Sequence, residues 1–88
     1  PEPYRVYWQP GCTSCLKAKE FLARHGIAFE SIDVRATPGA MDALVALGAR
    51  SVPVVARGTA WTYAQELDDL ARFFGVEGAR ERLPPDVL

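Results

Sequence analysis

Cys12 and Cys15 are the only two cysteines of the chain, and they sit directly after a β-rich stretch and directly before an amphipathic helical run. No other feature constrains the fold as much, because a helix that begins where the strand has ended brings two thiols at that spacing together. Two intervening residues in the first helical turn bring the sulfurs within disulfide reach, and the positive end of the helix dipole favours a thiolate on the first of them. The pattern predicts a thiol–disulfide redox centre. Cys12 is then the nucleophile, and Cys15, one turn further in, is the thiol that attacks a mixed disulfide on Cys12.

Two plainer readings compete. A zinc site needs four ligands, and beyond this pair the chain offers one histidine, His25, and no second cysteine pair, so no complete metal site is expected. A purely structural disulfide closing so short a loop removes little chain entropy. The redox reading remains the stronger one.

The 88 residues, 49% of them apolar, suffice for one small domain over 1–88, with a core spanning about 4–75 and a C-terminal tail over 76–88. The formal charge is −1 with lysines and arginines scattered, which leaves no electrostatic footprint for nucleic acid or an anionic membrane. No apolar run approaches the ~20 residues of a membrane span, and no signal-peptide pattern precedes the first strand. One close cysteine pair in a chain with an ordinary core suits a reducing compartment, so the cytoplasm is the expected location.

Along the chain, Tyr4 to Trp8 reads as a strand and Gln9-Pro10-Gly11 as the turn that delivers Cys12. The following helix carries Ala18, Phe21, Leu22 and His25 on one face and ends at Gly26. Phe29 to Val34 is a second strand. Thr37-Pro38 then reads as an N-cap with proline at the first helical position, ahead of a stripe formed by Met41, Leu44, Val45 and Gly48. Strands from Pro53 to about Arg57 and from Ala60 to Tyr63 flank a hairpin turn at Gly58-Thr59, and Leu67, Leu70, Ala71 and Phe74 mark a last helix closed by Gly75. The order β-α-β-α-β-β-α predicts an α/β fold: a mixed four-stranded sheet flanked by three helices.

A Cys-x-x-Cys at the end of the first strand of that order, followed by Ser51-Val52-Pro53-Val54-Val55, resembles the thioredoxin-fold glutaredoxins. The resemblance covers roughly Tyr4 to Gly75. It implies that Pro53 is cis and lies beside the nucleophilic sulfur of Cys12, leaving the backbone N–H and C=O of Val52 to pair with an extended substrate segment. Thr13 and Val52 become candidate substrate contacts. Many glutaredoxins carry a basic residue three positions before the first cysteine, which contacts a glutathione carboxylate; here that residue is Gln9. They also carry Gly-Gly and then an acidic residue after the fourth strand, where this chain has Tyr63-Ala64-Gln65-Glu66, with Glu66 standing for the acidic residue. The stretch Trp61-Thr62-Tyr63 is similar to the aromatic segment of the glutaredoxin-like redoxins that serve ribonucleotide reductase and are recharged by thioredoxin reductase.

The resemblance therefore implies a monomeric dithiol–disulfide oxidoreductase acting on protein or small-molecule disulfides. It implies no tightly bound cofactor, with glutathione or a flavoprotein reductase as external electron donor. The alternative is a binding module in which Cys12 and glutathione ligate an iron–sulfur cluster between two protomers. Trp61 is a candidate substrate contact, and Trp8 a weaker one. His25 reads as a helix-end residue rather than a base, since it lies some three turns from Cys12 beside the closing glycine. Asp33 is weighed as a buried proton acceptor, a role glutaredoxins usually lack. Lys17 and Lys19 either favour the Cys12 thiolate or simply solvate a helix face.

Overall fold

The computed structural model describes residues 2–75, so the C-terminal tail over 76–88 lies outside the described residues. The elements follow as β1 (Tyr4–Trp8), α1 (Thr13–Arg24), β2 (Phe29–Asp33), α2 (Ala40–Leu47), β3 (Val54–Arg57), β4 (Ala60–Tyr63) and α3 (Leu67–Phe74). The sheet order is β2-β1-β3-β4, with β1 and β2 parallel and the other pairs antiparallel. A parallel pair needs a crossover, and α1 supplies it; an antiparallel pair closes through a tight turn, and Gly58-Thr59 supplies that. Gly58 takes a φ of 61° at the first loop position, as a type II′ hairpin turn requires.

The sheet has helices on both faces because its central strands are apolar on both sides. Val6 and Val55 pack under α1 and α3 with Ala18, Leu22 and Leu70, while Tyr7, Val54 and Ala56 face α2 with Ala40 and Leu44. Alternation along β1 thus puts Tyr4 and Val6 on the α1 face and Tyr7 on the α2 face. Trp8 continues that alternation toward α1. The strand end and the helix start are thereby fixed relative to each other, with the Cys12 loop between them.

Three local expectations are corrected. Thr37 is not the N-cap of α2: Gly39 is, with φ 80° and ψ −7°, and the N–H of Ala40 donates to the Thr37 carbonyl at 3.1 Å. Proline followed by a residue of positive φ is the type II turn pattern, so Thr37-Pro38-Gly39-Ala40 turns before the helix begins. The α2 stripe also differs. Ala40 and Leu44 are buried with Leu47 behind them, whereas Met41 and Val45 are 51% and 62% exposed. A helix of sequence Ala-Met-Asp-Ala-Leu-Val-Ala-Leu is apolar nearly all round, so periodicity alone could not choose its inner face, and the small Ala40 side chain permits the closer approach. Finally, β2 stops at Asp33 and β3 starts at Val54, one residue short of the expected limits in each case.

The two readings of the α2 start separate by mutation. Gly39→Ala forces a side chain into a left-handed backbone and is expected to cost about 1 kcal/mol, whereas exposed Thr37→Ala stays within about 0.5 kcal/mol of the parent. Urea unfolding of both variants measures the difference; a larger loss at Thr37 would restore the capping assignment.

Candidate active site

Cys12 is the N-cap of α1. Its backbone is extended (φ −103°, ψ 106°), its carbonyl accepts from the Leu16 N–H at 3.3 Å, and its Sγ accepts from the Cys15 N–H at 3.1 Å. A sulfur thus occupies the place that a serine or aspartate oxygen takes in most helices, and it satisfies one of the orphan amides of the first turn. No acidic side chain lies in that turn to oppose a negative sulfur. Cys12 and Cys15 are joined as a disulfide, with Cα atoms 5.2 Å apart. Cys15 is 1% exposed, while Cys12 is half-buried. The pair is asymmetric, with one sulfur at the surface and one beneath it.

Around the pair lies an open cavity of about 210 Å³ whose walls include Trp8, Gln9, Thr13 and Leu16 together with both cysteines. Thr13 is exposed at the first position of α1. Leu16 is 60% exposed at the cavity wall, leaving apolar surface beside the sulfurs. Lys19 does not simply solvate a helix face, since its Nζ stands 3.9 Å from the centre of the Trp8 ring.

The Val52–Pro53 peptide bond is cis. Because Tyr7 pairs with Val54 in the antiparallel β1–β3 ladder, extending that register sets Pro53 across from Trp8, at the sheet end that carries the cysteine loop. The segment after β4 fastens this turn. Ala64 N–H donates to the Pro53 carbonyl at 2.9 Å, the Gln65 side-chain amide donates to the Val52 carbonyl at 2.9 Å, and the Tyr63 hydroxyl accepts from the Arg50 N–H at 3.0 Å. The Val52 carbonyl thus already accepts one bond, from the exposed Gln65 amide, and keeps its second lone pair.

The remaining candidates disperse. Trp61 is half-buried on the α2 face, edge-on to Tyr63 with ring centres 5.0 Å apart, and it is absent from the cavity walls beside Cys12. Glu66 is the N-cap of α3, exposed, with its N–H donating to the Asp69 carboxylate at 3.2 Å. Asp33 is half-buried and its Oδ1 accepts from the Arg35 N–H at 2.9 Å, a turn contact at the end of β2. His25 is the C-cap of α1, with its ring 4.3 Å from that of Phe21. Among the described residues, no three His, Cys, Asp or Glu side chains group as metal ligands, and no helix is long and apolar enough to cross a membrane.

The glutaredoxin family model matches residues 5–60, the span that holds the cysteine pair and the cis proline. The chain belongs to the glutaredoxin family. It is 43% identical over 58 residues to the Gene 56 protein of Mycobacterium phage L5, a match covering 65% of this chain and 56% of the phage protein. It is 31% identical over 52 residues to the glutaredoxin-like protein NrdH of Lactococcus lactis, covering 59% and 72% of the two chains. The matched segment thus spans little more than half the length of the phage relative. Among solved structures, the glutaredoxin-like protein NrdH-redoxin of Escherichia coli superimposes with a TM-score of 0.70 at 28% identity, over 89% of this chain and 99% of that one.

In this glutaredoxin, sequence reasoning located the cysteines and the proline but not the fastening of the proline turn. In the sequence, Tyr63 and Ala64 stand out only as departures from a Gly-Gly pattern, and Gln65 carries no signal of its own. That Ala64 is 3% exposed and packs in the α1 face of the core explains why a side chain is tolerated there. The contact of Trp8 with Lys19 carried no sequence signal, because it joins a strand end to the second turn of the next helix.

The asymmetry of the pair gives a direct expectation. In reduced protein treated with limiting iodoacetamide, Cys12 alkylates while Cys15 stays unmodified, read by peptide mass mapping; Cys15 modified first would reverse the two roles.

Proposed function

We propose that the protein is a dithiol–disulfide oxidoreductase, with Cys12 as nucleophile and Cys15 as resolving thiol. The observation that supports this most is the Cys12 sulfur at the N-cap of α1, accepting from the Cys15 N–H at 3.1 Å with its partner sulfur buried behind it. Backbone N–H groups and the positive helix end aimed at one sulfur stabilise it as a thiolate, the reactive form. The thiolate attacks one sulfur of a substrate disulfide, that S–S bond breaks, and the other substrate sulfur leaves as a thiolate that takes a proton from solvent. Cys15, deprotonated, then attacks the Cys12 sulfur of the mixed disulfide. The second substrate thiol is released, and the Cys12–Cys15 disulfide remains to be reduced by an external donor.

The cis Pro53 turn, facing the end of β1, is the reading's substrate platform. With one lone pair of the Val52 carbonyl taken by Gln65, an extended substrate backbone pairs there through the second lone pair and the Val52 N–H. Thr13, exposed at the cavity mouth, contacts the substrate beside its sulfur, and Trp61 on β4 and Glu66 at the start of α3 meet it from the far side of the turn.

For the donor, the reading favours a flavoprotein of the thioredoxin reductase type over glutathione. Gln9 offers no charge to a glutathione carboxylate, Tyr63 and Ala64 stand where two glycines would leave bare backbone, and Tyr63 and Gln65 are engaged in holding the proline turn. The Escherichia coli NrdH-redoxin, to which the fold is similar, has a thioredoxin-like activity profile, and that profile is assigned here to this chain as well. The domain works as a monomer, with no tightly bound cofactor, in a reducing compartment such as the cytoplasm, where a cysteine pair is kept cycling.

The mechanism is tested by trapping. Cys15→Ser accumulates a mixed disulfide on Cys12 with a protein substrate, and Cys12→Ser abolishes thiol transfer, both read by intact-mass analysis and turnover. Full activity of Cys15→Ser on protein disulfides would show that an external thiol resolves the intermediate instead.

A further inference from the structure

One buried polar atom among the described side chains has no hydrogen-bond partner, and it is the indole Nε1–H of Trp8. Buried donors are almost always paired, so an orphan beside a reactive pair calls for a physical reason. The position of the ring supplies one. Tyr4 and Val6 of β1 pack against α1, and alternation turns Trp8 toward the same helix. There it forms a wall of the cavity that also contains Cys12 and Cys15. The Lys19 ammonium sits over its face at 3.9 Å. Cys15 and Lys19 are four residues apart on α1, which makes them neighbours on one side of the helix. The indole thus shares one cavity with the helical turn that bears the buried sulfur.

We propose that the Trp8 indole N–H is the hydrogen-bond donor for the Cys15 sulfur once the disulfide opens, and that it thereby sets the redox poise of the pair. The inference rests on the reading of Cys12 and Cys15 as a working redox couple. In the disulfide, neither sulfur is more than a weak acceptor, and the N–H has no partner. Reduction supplies the acceptor. An external dithiol gives up two electrons and two protons and becomes a disulfide; the Cys12–Cys15 bond breaks, one proton is retained by the pair and the other passes to solvent. The pair then carries one negative charge. The freed Cys15 sulfur accepts the buried indole N–H as a thiol as well as a thiolate, most strongly as the thiolate it must become to attack a mixed disulfide on Cys12. The ammonium over the ring draws electron density from the indole and makes its N–H a stronger donor. Cys12 already has a donor in the Cys15 N–H; Trp8 gives the second, buried sulfur one of its own.

A donor that is satisfied only in the reduced state favours that state, so the parent protein is more oxidising than the same site without it. Trp8→Phe keeps an aromatic face for Lys19 and removes only the N–H and part of the ring. Its midpoint potential, measured by equilibration with dithiothreitol and read by alkylation and mass, is expected to fall by ~30 mV, the equivalent of about a tenfold change in the two-electron equilibrium. Release of a preformed mixed disulfide on Cys12 slows by a similar factor, because less of Cys15 is deprotonated. A merely structural Trp8 would change thermal stability and leave the potential where it was, and that result would overturn the inference. Should Trp8→Phe fail to fold, benzothienylalanine, which keeps the bicyclic shape and lacks the N–H, is incorporated at position 8 in a Trp61→Phe background and compared with tryptophan in that same background. The two readings fail separately: a parent protein that transfers no electrons to disulfides would sink the proposed function, whereas an active parent with an unshifted variant would sink only the role of Trp8.

Discussion

A sulfur serving as the N-cap of a helix is the contact on which this molecule depends. The Cys15 amide donates to the Cys12 Sγ at 3.1 Å, and that geometry needs a helix beginning at Thr13, a strand ending at Trp8 and a turn of fixed length between them. The core provides all three. Val6 beneath α1 and Ala18 and Leu22 above it are fully buried, so the helix start cannot drift along the strand without breaking that packing. A residue such as serine would cap the helix equally well; only cysteine places a sulfur there that can form a disulfide with Cys15.

The second half of the site reaches the first through the sheet rather than through side chains. The β1–β3 register carries Pro53 to the end of β1, and the segment after β4 then holds the proline turn by three hydrogen bonds from or to Tyr63, Ala64 and Gln65. Each is worth only about 1 kcal/mol, but together they leave the turn one arrangement. In other family members, glycines keep this backbone bare for a small peptide-like thiol. Here the same backbone is clad with side chains, which is why the proposed function gives it a partner that brings its own protein surface. The apolar Leu16, exposed at the cavity wall, suits such a partner for the same reason.

Much of this was legible in the chain itself, because the legible parts are governed by short-range rules. The Cys-x-x-Cys spacing, the turn glycine of the β3–β4 hairpin, the Gly75 that closes α3 and the two-sided apolar β3 all act within a few residues of themselves. Where two local rules competed, the sequence alone chose badly: Thr37-Pro38 satisfies a helix-cap pattern, yet Pro38-Gly39 satisfies a type II turn, and the turn prevailed because Gly39 alone could take the left-handed backbone there. For α2 there was too little contrast, since an almost wholly apolar helix has no polar face to mark its outside. The contacts of Gln65 with Val52, Tyr63 with Arg50 and Lys19 with Trp8 were not readable, because each joins residues from separate elements whose meeting depends on the finished fold.

The central claim is that this cysteine pair passes electrons from a flavoprotein to disulfides. It is tested most directly by reduction of a generic protein disulfide under two separate donors, NADPH with a thioredoxin-reductase-type flavoprotein and NADPH with glutathione reductase and glutathione. The account predicts turnover with both cysteines intact that is faster with the flavoprotein by at least about tenfold, the equivalent of ~1.4 kcal/mol. Equal or faster turnover with glutathione would contradict the role given to Gln9, Tyr63 and Gln65, and no turnover with either donor would contradict the account as a whole.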